Sequence, residues 1–222
     1  MSKYIIASGY WASESQQARS GFFDIWWRNT ESTCSPESVY IVNAASKLLP
    51  KNMRGNWINA TENIGHVHHM ILGQRGQKLS GWTISTLIGA LIAYNCDSDM
   101  IYKEQDCLCF GNWIAQIYEA AGRTGTWMLF GQNDVMKIEQ SLVWIKYDGL
   151  LEYVKMILNM SESDATKLPE AKYLQLIESG FAQYLPFGYG RNRPINYDNE
   201  AFYAQQITPG EIVELKKRGL IT

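Results

Sequence analysis

The sequence predicts an α/β fold, arranged as a single three-layer domain with a mainly parallel central sheet. Short runs of β-branched and aromatic residues alternate along the chain with longer segments of helical spacing. Most of the early short runs end in small or amide residues, as strands do where an open sheet meets its ligand. With 222 residues and 46% hydrophobic composition, the chain has enough apolar material to fill the core of such a domain.

The elements of the first quarter follow from these patterns. Residues 4–7 form a β-rich run that we expect to stop at Ser8-Gly9, and residues 13–27 carry apolar and aromatic residues at a mixed helical spacing. Residues 39–43, with the sequence VYIVN, and the shorter run at 57–59 repeat the strand pattern. These segments predict a strand, a helix and two further strands.

The middle of the chain predicts a buried helix followed by a strand. Residues 83–94 are apolar for too long to be an ordinary strand, and the preceding Ser80-Gly81 suits the start of a helix. The next strand is MIYK at 100–103, which is followed at once by Glu104, Gln105 and Asp106. Acidic residues in this position lie where the sheet opens to its ligand.

The second half of the chain predicts two strands and four helices. Thr208 and Glu211 have the spacing of a capping box, and Gly219 is placed to end the helix that they open. The predicted strands are 127–130 and 184–187, and the predicted helices are 139–144, 150–159, 169–179 and the tail helix.

Composition excludes several classes of function. Lys and Arg total 20 against 22 Asp and Glu, and no stretch concentrates one sign of charge, which argues against a surface for nucleic acid or acidic membrane. No run of about 18 apolar residues occurs, and the N-terminus lacks the pattern of a signal peptide. The four cysteines lack zinc-site spacing. We therefore expect a soluble, cytoplasmic protein with reduced thiols and no membrane span.

Glu104 and Asp106 are the most informative pair. Two carboxylates at positions i and i+2 at the end of a strand can face one hard cation while the chain turns. Mg²⁺ and Mn²⁺ suit such a site, with few protein oxygens and the remaining ligands from substrate phosphates and water. An exposed turn is the structural alternative, and the position after MIYK in an α/β chain favours the metal.

Four strings occur in order along about residues 3–133, namely YIIASGY, VYIVN, GWTISTLIGALIAYN and DMIYKEQD. In this series of strings the sequence resembles the nucleotide-sugar-binding half of GT-A glycosyltransferases. The strings EQDCL and FGYGRNRPINYD are similar to sugar transferases of large algal viruses. The family implies an acidic motif that binds Mn²⁺ or Mg²⁺ on the donor diphosphate, which makes Asp106 the surer ligand because Glu104 replaces an aspartate.

The resemblance also implies residues that bind the donor. Ser8, Gly9 and Tyr10 match the loop that holds the nucleobase, and Asn43 matches the position, often acidic, that meets the base or ribose. Arg75 matches an arginine that faces the base or phosphates. Arg191 and Arg193 lie in a Gly- and Pro-rich loop that matches one folding over the diphosphate, although either could instead pair with Asp198 or Glu200.

An inverting transfer needs a carboxylate base near the acceptor hydroxyl. Asp134, after the strand at 127–130, and Glu170, at the start of the helix at 169–179, are the candidates, and both are also ordinary acids of helix starts. The histidines of the His66–His69 segment are less suited to a metal, because no H-E-x-x-H pattern is present. A retaining mechanism would need no such base.

The resulting hypothesis is a metal-dependent glycosyltransferase. It would move a sugar from a nucleoside diphosphate, with UDP as the expected nucleotide, to a hydroxyl of a glycan or glycoprotein. One domain spans 1–222, with the donor half at about 3–133 and the acceptor side at 134–222. The alternatives are a nucleotidyltransferase, which lacks its expected Gly- and Lys/Arg-rich first loop here, and a non-catalytic carbohydrate-binding protein with an eroded fold.

Overall fold

The computed structural model describes residues 3–12, 17–61, 81–132, 138–161, 169–186 and 188–221, with the side chains of 17–20, 169 and 171 left out. Within these residues the chain forms a central sheet of seven strands, a separate two-stranded sheet and six α-helices. The strands are β1 (Tyr4–Tyr10), β2 (Val39–Asn43), β3 (Asn56–Asn59), β4 (Asp99–Lys103), β5 (Cys107–Gly111), β6 (Met128–Gly131), β7 (Glu139–Ile145), β8 (Ala182–Tyr184) and β9 (Ala201–Gln205). The helices are α1 (Gln17–Thr33), α2 (Gly81–Asn95), α3 (Trp113–Thr124), α4 (Leu150–Leu158), α5 (Pro169–Glu178) and α6 (Pro209–Lys217).

The central sheet has the strand order β3-β2-β1-β4-β7-β6-β8. The pairs β1–β2, β1–β4, β2–β3 and β6–β8 are parallel, whereas β7 runs antiparallel to both β4 and β6. This confirms the predicted α/β fold with a mainly parallel sheet. β1 pairs with β4 along Tyr4–Ala7 and with β2 along Ile6–Tyr10, so it is flanked by two parallel strands.

Helices cover both faces of the sheet and divide the apolar residues into two cores. One core packs α1 and α3 against the sheet and includes Trp26 and Trp113, and the other packs α2, α4 and α5 and includes Trp82 and Tyr153. The strands supply both cores by alternation, so that in β4 Ile101 faces the first core while its neighbours face the second. The result is the predicted three-layer arrangement.

The small sheet lies beside the sequence motif at the end of β4. β5 follows the turn at 104–106 directly and pairs antiparallel with β9, with Cys107 opposite Gln205. This pairing brings the end of the last strand, about 100 residues away in the chain, to the acidic turn. Residues 107–111 and 201–205 were not predicted as strands, and their partnership is a long-range contact.

Three predicted elements differ from the structure, and one helix was not predicted. Residues 139–144, predicted as a helix, belong to the strand β7. This strand lies between β4 and β6 and is buried on both faces. Its sequence therefore lacks the alternation of polar and apolar residues by which a strand is recognised. The first strand continues through Ser8, Gly9 and Tyr10 to its end at residue 10. The strand predicted at 184–187 lies at 182–184, and α3 was missed although its buried residues recur at helical spacing.

The predicted end of the chain is confirmed. The Thr208 side chain accepts from the backbone N–H of Glu211, and the Glu211 side chain accepts from the N–H of Thr208, which completes the capping box of α6. Gly219 has φ of 70° just after the helix, in the left-handed region that glycine adopts without steric cost. Among the described helices, none is both long and apolar enough to cross a bilayer.

Candidate active site

The candidate site lies at the carboxyl ends of β1 and β4. β2 and β3 lie on one side of β1, and the next strand in the chain, β4, lies on its other side. In an open α/β sheet, ligands bind in the crevice that forms at such a change of direction. Trp11 follows β1, and the acidic turn Glu104-Gln105-Asp106 follows β4, so these segments form the two sides of the crevice.

The two carboxylates of the acidic turn face one point. Nε2 of Gln205, at the end of β9, donates to Glu104 Oε2 at 2.7 Å and to Asp106 Oδ1 at 3.1 Å. Gln205 is 2% exposed, whereas both acids are only partly buried and therefore open to the crevice. The predicted acidic pair is thus brought together, although residues i and i+2 need not converge.

A hydrogen-bonded chain continues below Gln205 into the protein. The Tyr203 hydroxyl donates to Gln205 Oε1 at 2.7 Å, which turns the amide nitrogen toward the carboxylates. Tyr203 also contacts the hydroxyl of Ser141, and Ser141 donates to Glu139 Oε1 at 2.9 Å. Arg191 Nε then donates to Glu139 Oε2 at 2.6 Å. This chain links the acidic turn, β7, β9 and the loop of Arg191.

The site concentrates negative charge. Burial raises the pKa of Glu104 well above the usual carboxyl value, and the carboxylates of Asp106 and Glu139 raise it further. The Arg191 guanidinium lowers the pKa of Glu104, and the Glu170 carboxylate raises it. Three carboxylates therefore act on that of Glu104, and we call Glu104, Asp106, Glu139 and Glu170 the acidic cluster.

Glu170 approaches the site from the first turn of α5. Its Oε2 atom is buried and has no hydrogen-bond partner among the described residues. A buried carboxylate oxygen that lacks a hydrogen-bond donor costs free energy. Of the two predicted base candidates, the structure locates Glu170 near the acidic turn, and Asp134 lies outside the described residues.

The residues predicted to hold the nucleobase lie in β1, and the prediction that a loop begins at Ser8 is wrong. Ser8 is 1% exposed, and the Tyr10 hydroxyl donates to the Leu48 carbonyl at 3.0 Å in the core. Gly9 packs closely against its neighbours, because a Cβ atom there would lie 2.8 Å from both Ser85 Oγ and the Tyr102 hydroxyl. Their contact with a nucleobase stays a prediction.

Asn43 organises the ends of the neighbouring strands. Its Oδ1 accepts from the backbone N–H of Ser46 at 3.0 Å, and its Nδ2 donates to Asn59 Oδ1 at 3.0 Å. Ser46 Oγ in turn accepts from the N–H of Ala12 at 3.1 Å. Asn43 is 4% exposed, and its hydrogen bonds connect the segments at the ends of β1, β2 and β3. Its contact with a base or ribose stays a prediction.

The two arginines of the 188–200 loop lie in different surroundings. Arg191 pairs with Glu139, which is 1% exposed, beside the acidic cluster. Arg193 donates to the Gln205 carbonyl at 2.8 Å and pairs with Glu211 in α6. Asp198 and Glu200 were the alternative partners that the sequence left open, and the ion pairs described here are with Glu139 and Glu211. Arg75 and the His66–His69 segment lie outside the described residues.

Sequence reasoning missed the polar residues beneath the acidic turn. Glu139 was assigned to a helix, and Ser141, Tyr203 and Gln205 were not singled out. The only signal in the sequence is the presence of a charged residue and a serine beside the apolar run LVWI of β7, which is unusual for a strand buried on both faces. The partnership of β5 with β9 gives no such signal.

Glu104 and Asp106 are the candidate ligands for a hard divalent cation. Among the described residues no group of three or more His, Cys, Asp or Glu is arranged around one metal position. The two carboxylates of the acidic turn nevertheless face a single nitrogen atom, and a cation bound by two protein oxygens normally takes its other ligands from phosphate and water. Excess negative charge around Glu104 favours a cation in the same place.

No protein-family model matches this chain, and no curated protein sequence matches it. Its fold is similar to those of several solved glycosyltransferases. The galactosyltransferase LgtC, solved with donor and acceptor sugar analogues, is 13% identical with a TM-score of 0.49, over 82% of this chain and 72% of LgtC. The TarS 1–349 fragment of S. aureus, solved with UDP, is 8% identical with a TM-score of 0.49, over 96% of this chain and 63% of the fragment.

Mouse xyloside xylosyltransferase 1, solved in its apo form, is 8% identical with a TM-score of 0.46, over 83% of this chain and 85% of the enzyme. The chain thus spans less than two thirds of the TarS fragment and more of the other two proteins.

Proposed function

We infer that the protein is a glycosyltransferase that takes its sugar from a nucleoside diphosphate sugar, with UDP as the nucleotide. The observation that carries this proposal is the pair of carboxylates, Glu104 and Asp106, that follows β4 and is held together by Gln205 Nε2. A crevice at this place in an α/β sheet suits a nucleotide, and paired carboxylates suit a cation bound to its phosphates. The resemblance of the sequence to GT-A transferases agrees with this chemistry.

Asp106 and Glu104 would hold Mn²⁺ or Mg²⁺. When bound, such an ion supplies Lewis-acid stabilisation of the negative charge on the departing diphosphate. The side chain of Gln205 keeps the two carboxylates directed at one position and, through Tyr203, is itself held in one orientation. The protein thereby orders both ligands before the donor arrives, which reduces the cost of binding.

Arg191 is placed to add a positive charge beside the same phosphates. Its Nε atom is used by Glu139, which is buried and fixes the position of the guanidinium, while the side chain remains 30% exposed. Nη1 also donates to Gln206 Oε1 at 3.4 Å, and a guanidinium held in this way adds positive charge that favours phosphate oxygens. Arg193 has a structural contact with Glu211, and we assign it a smaller share of phosphate binding.

Glu170 would act as the base that accepts the proton of the acceptor hydroxyl. Its buried, unpartnered oxygen and its proximity to Glu104 support this role, because an attacking hydroxyl can supply the missing hydrogen bond. The carboxylate would hold the hydroxyl and take its proton as the hydroxyl attacks the anomeric carbon. The acceptor would be a hydroxyl of a glycan or glycoprotein.

Asp106→Asn tests the proposal. We expect a folded variant whose affinity for UDP in the presence of Mn²⁺ falls by about 30-fold or more, because loss of one charge of a paired site costs about 2 kcal/mol or more. Asp148→Asn is the matched control, since Asp148 pairs with Lys146 on the surface and has no contact with the site. Arg191→Gln in the same titration should weaken UDP binding less.

Isothermal titration calorimetry gives the affinities, and circular dichroism checks the fold. Unchanged, metal-responsive UDP binding by Asp106→Asn would refute the role of Asp106. Metal-dependent hydrolysis of UDP-sugars separates the alternatives, because a binding protein should show none and a nucleotidyltransferase should prefer a nucleoside triphosphate.

A further inference from the structure

The middle residue of the acidic turn has a contact that the proposed chemistry does not use. The Gln105 side chain reaches across the crevice, where its Oε1 accepts from the backbone N–H of Trp11 at 3.3 Å and its Nε2 donates to the Trp11 carbonyl at 3.2 Å. Both ends of the carboxamide bind the backbone of one residue, 94 positions away in the chain. The carboxamide thus forms the same pair of N–H and carbonyl hydrogen bonds that a neighbouring strand forms in a β-sheet.

This contact joins the two sides of the crevice. Trp11 is the first residue after β1, and Gln105 lies between Glu104 and Asp106 after β4. β1 and β4 pair directly up to Ala7 and Tyr102, and beyond that point the two strand ends have no backbone pairing with each other. The Gln105 carboxamide therefore replaces the missing ladder where the sheet opens.

The same segment is held from the opposite side. The N–H of Ala12 donates to Ser46 Oγ, and the backbone N–H of Ser46 donates to the side chain of Asn43, the last residue of β2. Gln105 and Ser46 thus hold residues 11 and 12 between the ends of β4 and β2. These four polar contacts are all made by side chains to backbone groups, which fixes the position of the segment without depending on its own side chains.

We propose that Gln105 is a positioning residue that sets the segment at residues 11–12 at a fixed distance from the acidic pair. The inference rests on the proposed function, and it adds a role for a residue between the two metal ligands. A ligand that contacts both sides of the crevice, as a nucleoside diphosphate does, needs this distance to be correct. A ligand that contacts only the acidic side does not.

The test compares two ligands in the presence of Mn²⁺. UDP spans the crevice, and methylene diphosphonate keeps a diphosphate-like group but lacks the nucleoside. Gln105→Leu has nearly the size of glutamine and removes both hydrogen bonds, so we expect it to weaken UDP binding about tenfold and to leave methylene diphosphonate binding within about twofold. Titration calorimetry gives the Kd of UDP, and competition against UDP gives that of methylene diphosphonate.

Gln183→Leu is the matched control. Gln183 is exposed on β8, and this variant should bind both ligands as the wild type does. Ser46→Ala releases the same segment from the other side and should weaken UDP binding about threefold, again with little effect on methylene diphosphonate. If Gln105→Leu does not fold, the Ser46→Ala variant alone tests the inference.

Equal losses for the two ligands in Gln105→Leu would overturn the inference, because Gln105 would then act on the carboxylates alone. Unchanged UDP binding in the folded variant would overturn it as well, and so would unchanged UDP binding by Ser46→Ala if Gln105→Leu does not fold. A wild-type protein that binds no UDP would instead refute the proposed function, so the two failures are distinguishable.

Discussion

Two consecutive residues at the end of β4 lie in opposite kinds of polar surroundings. The first, Lys103, is fully buried in a pocket formed by α1 and α3. Its ammonium donates to Asn29 Oδ1 at 2.7 Å and to Thr30 Oγ1 at 3.0 Å, and it lies 5.3 Å and 5.9 Å from the ring centroids of Trp26 and Trp113. We call these four residues the Lys103 pocket.

The second residue, Glu104, belongs to the acidic cluster. Here four carboxylates lie near one guanidinium, that of Arg191, and one amide, that of Gln205. The Lys103 pocket satisfies its charge with neutral oxygens and aromatic faces, whereas the acidic cluster keeps an excess of negative charge. The contrast separates a polar group that belongs to the core from a set of groups that is suited to a ligand.

We expect a substitution in the Lys103 pocket to lower the free energy of unfolding and to leave the affinity for UDP nearly unchanged. Asn29 holds the ammonium, and it also donates to the Cys109 carbonyl at 2.8 Å and accepts from the Cys109 N–H. Asn29→Leu removes one of the two hydrogen-bond acceptors of the buried ammonium and the side-chain partner of the Cys109 N–H and carbonyl, so we expect the free energy of unfolding to fall by about 3 kcal/mol or more.

Urea unfolding measures this loss, and the exposed Asn52→Leu is the control. UDP affinity, measured below the unfolding transition, should stay within about twofold of wild type. A loss of stability under about 1 kcal/mol would show that the pocket is not the structural unit that we describe, and a large loss of UDP affinity would remove the contrast with the acidic cluster.

Within the acidic cluster, Glu170 should govern catalysis. Glu170→Gln removes the proposed base, and we expect kcat to fall about 100-fold or more with a small change in KM, because a positioned base contributes at least that much to the rate. Glu178→Gln, at the other end of α5, is the matched control. An unchanged kcat would exclude Glu170 as the base and favour a mechanism without one.

The charge excess itself should appear as a pH dependence of stability. The pKa of Glu104 is raised by burial and by Asp106, so over the pH range above its ordinary value near 4.5 the folded protein retains a proton that the unfolded chain has lost. The free energy of unfolding should therefore decrease as pH rises through this range. The Glu104→Gln side chain does not titrate, so the free energy of unfolding of this variant should decrease less with rising pH than that of the wild type.

Urea unfolding at about pH 5 and about pH 8, in a chelating buffer, compares the two proteins. Glu104→Gln should gain stability relative to wild type at the higher pH, while its affinity for UDP with Mn²⁺ falls by less than that of Asp106→Asn. Parallel pH profiles for the two proteins would show that the acidic cluster does not destabilise the fold.

The sequence predicted the features that depend on neighbouring residues. Apolar runs and their ends indicated the α/β class, and the position of Glu104 and Asp106 after a strand indicated the edge of the sheet at which they lie. The capping box of Thr208 and Glu211 was read from a spacing of three residues. The Mn²⁺ or Mg²⁺ ligands, the donor residues and the similarity to sugar transferases of large algal viruses stay predictions.

The tertiary structure decided which polar residues meet. Residues 139–145 form a strand because β4 and β6 bury them on both faces, and this burial removes the alternation by which a strand is recognised in a sequence. Arg191 and Arg193 are equivalent in the sequence, yet one pairs with Glu139 beside the site and the other with Glu211 in the last helix.

The contacts of Gln205 with the acidic turn and of Gln105 with Trp11 span 99 to 101 and 94 positions of the chain. Local sequence encodes the conformation of each segment, because backbone preferences and side-chain periodicity act over a few residues. It does not encode the partners of a buried amide or carboxylate, since these are chosen by the packing of strands and helices that lie far apart in the chain.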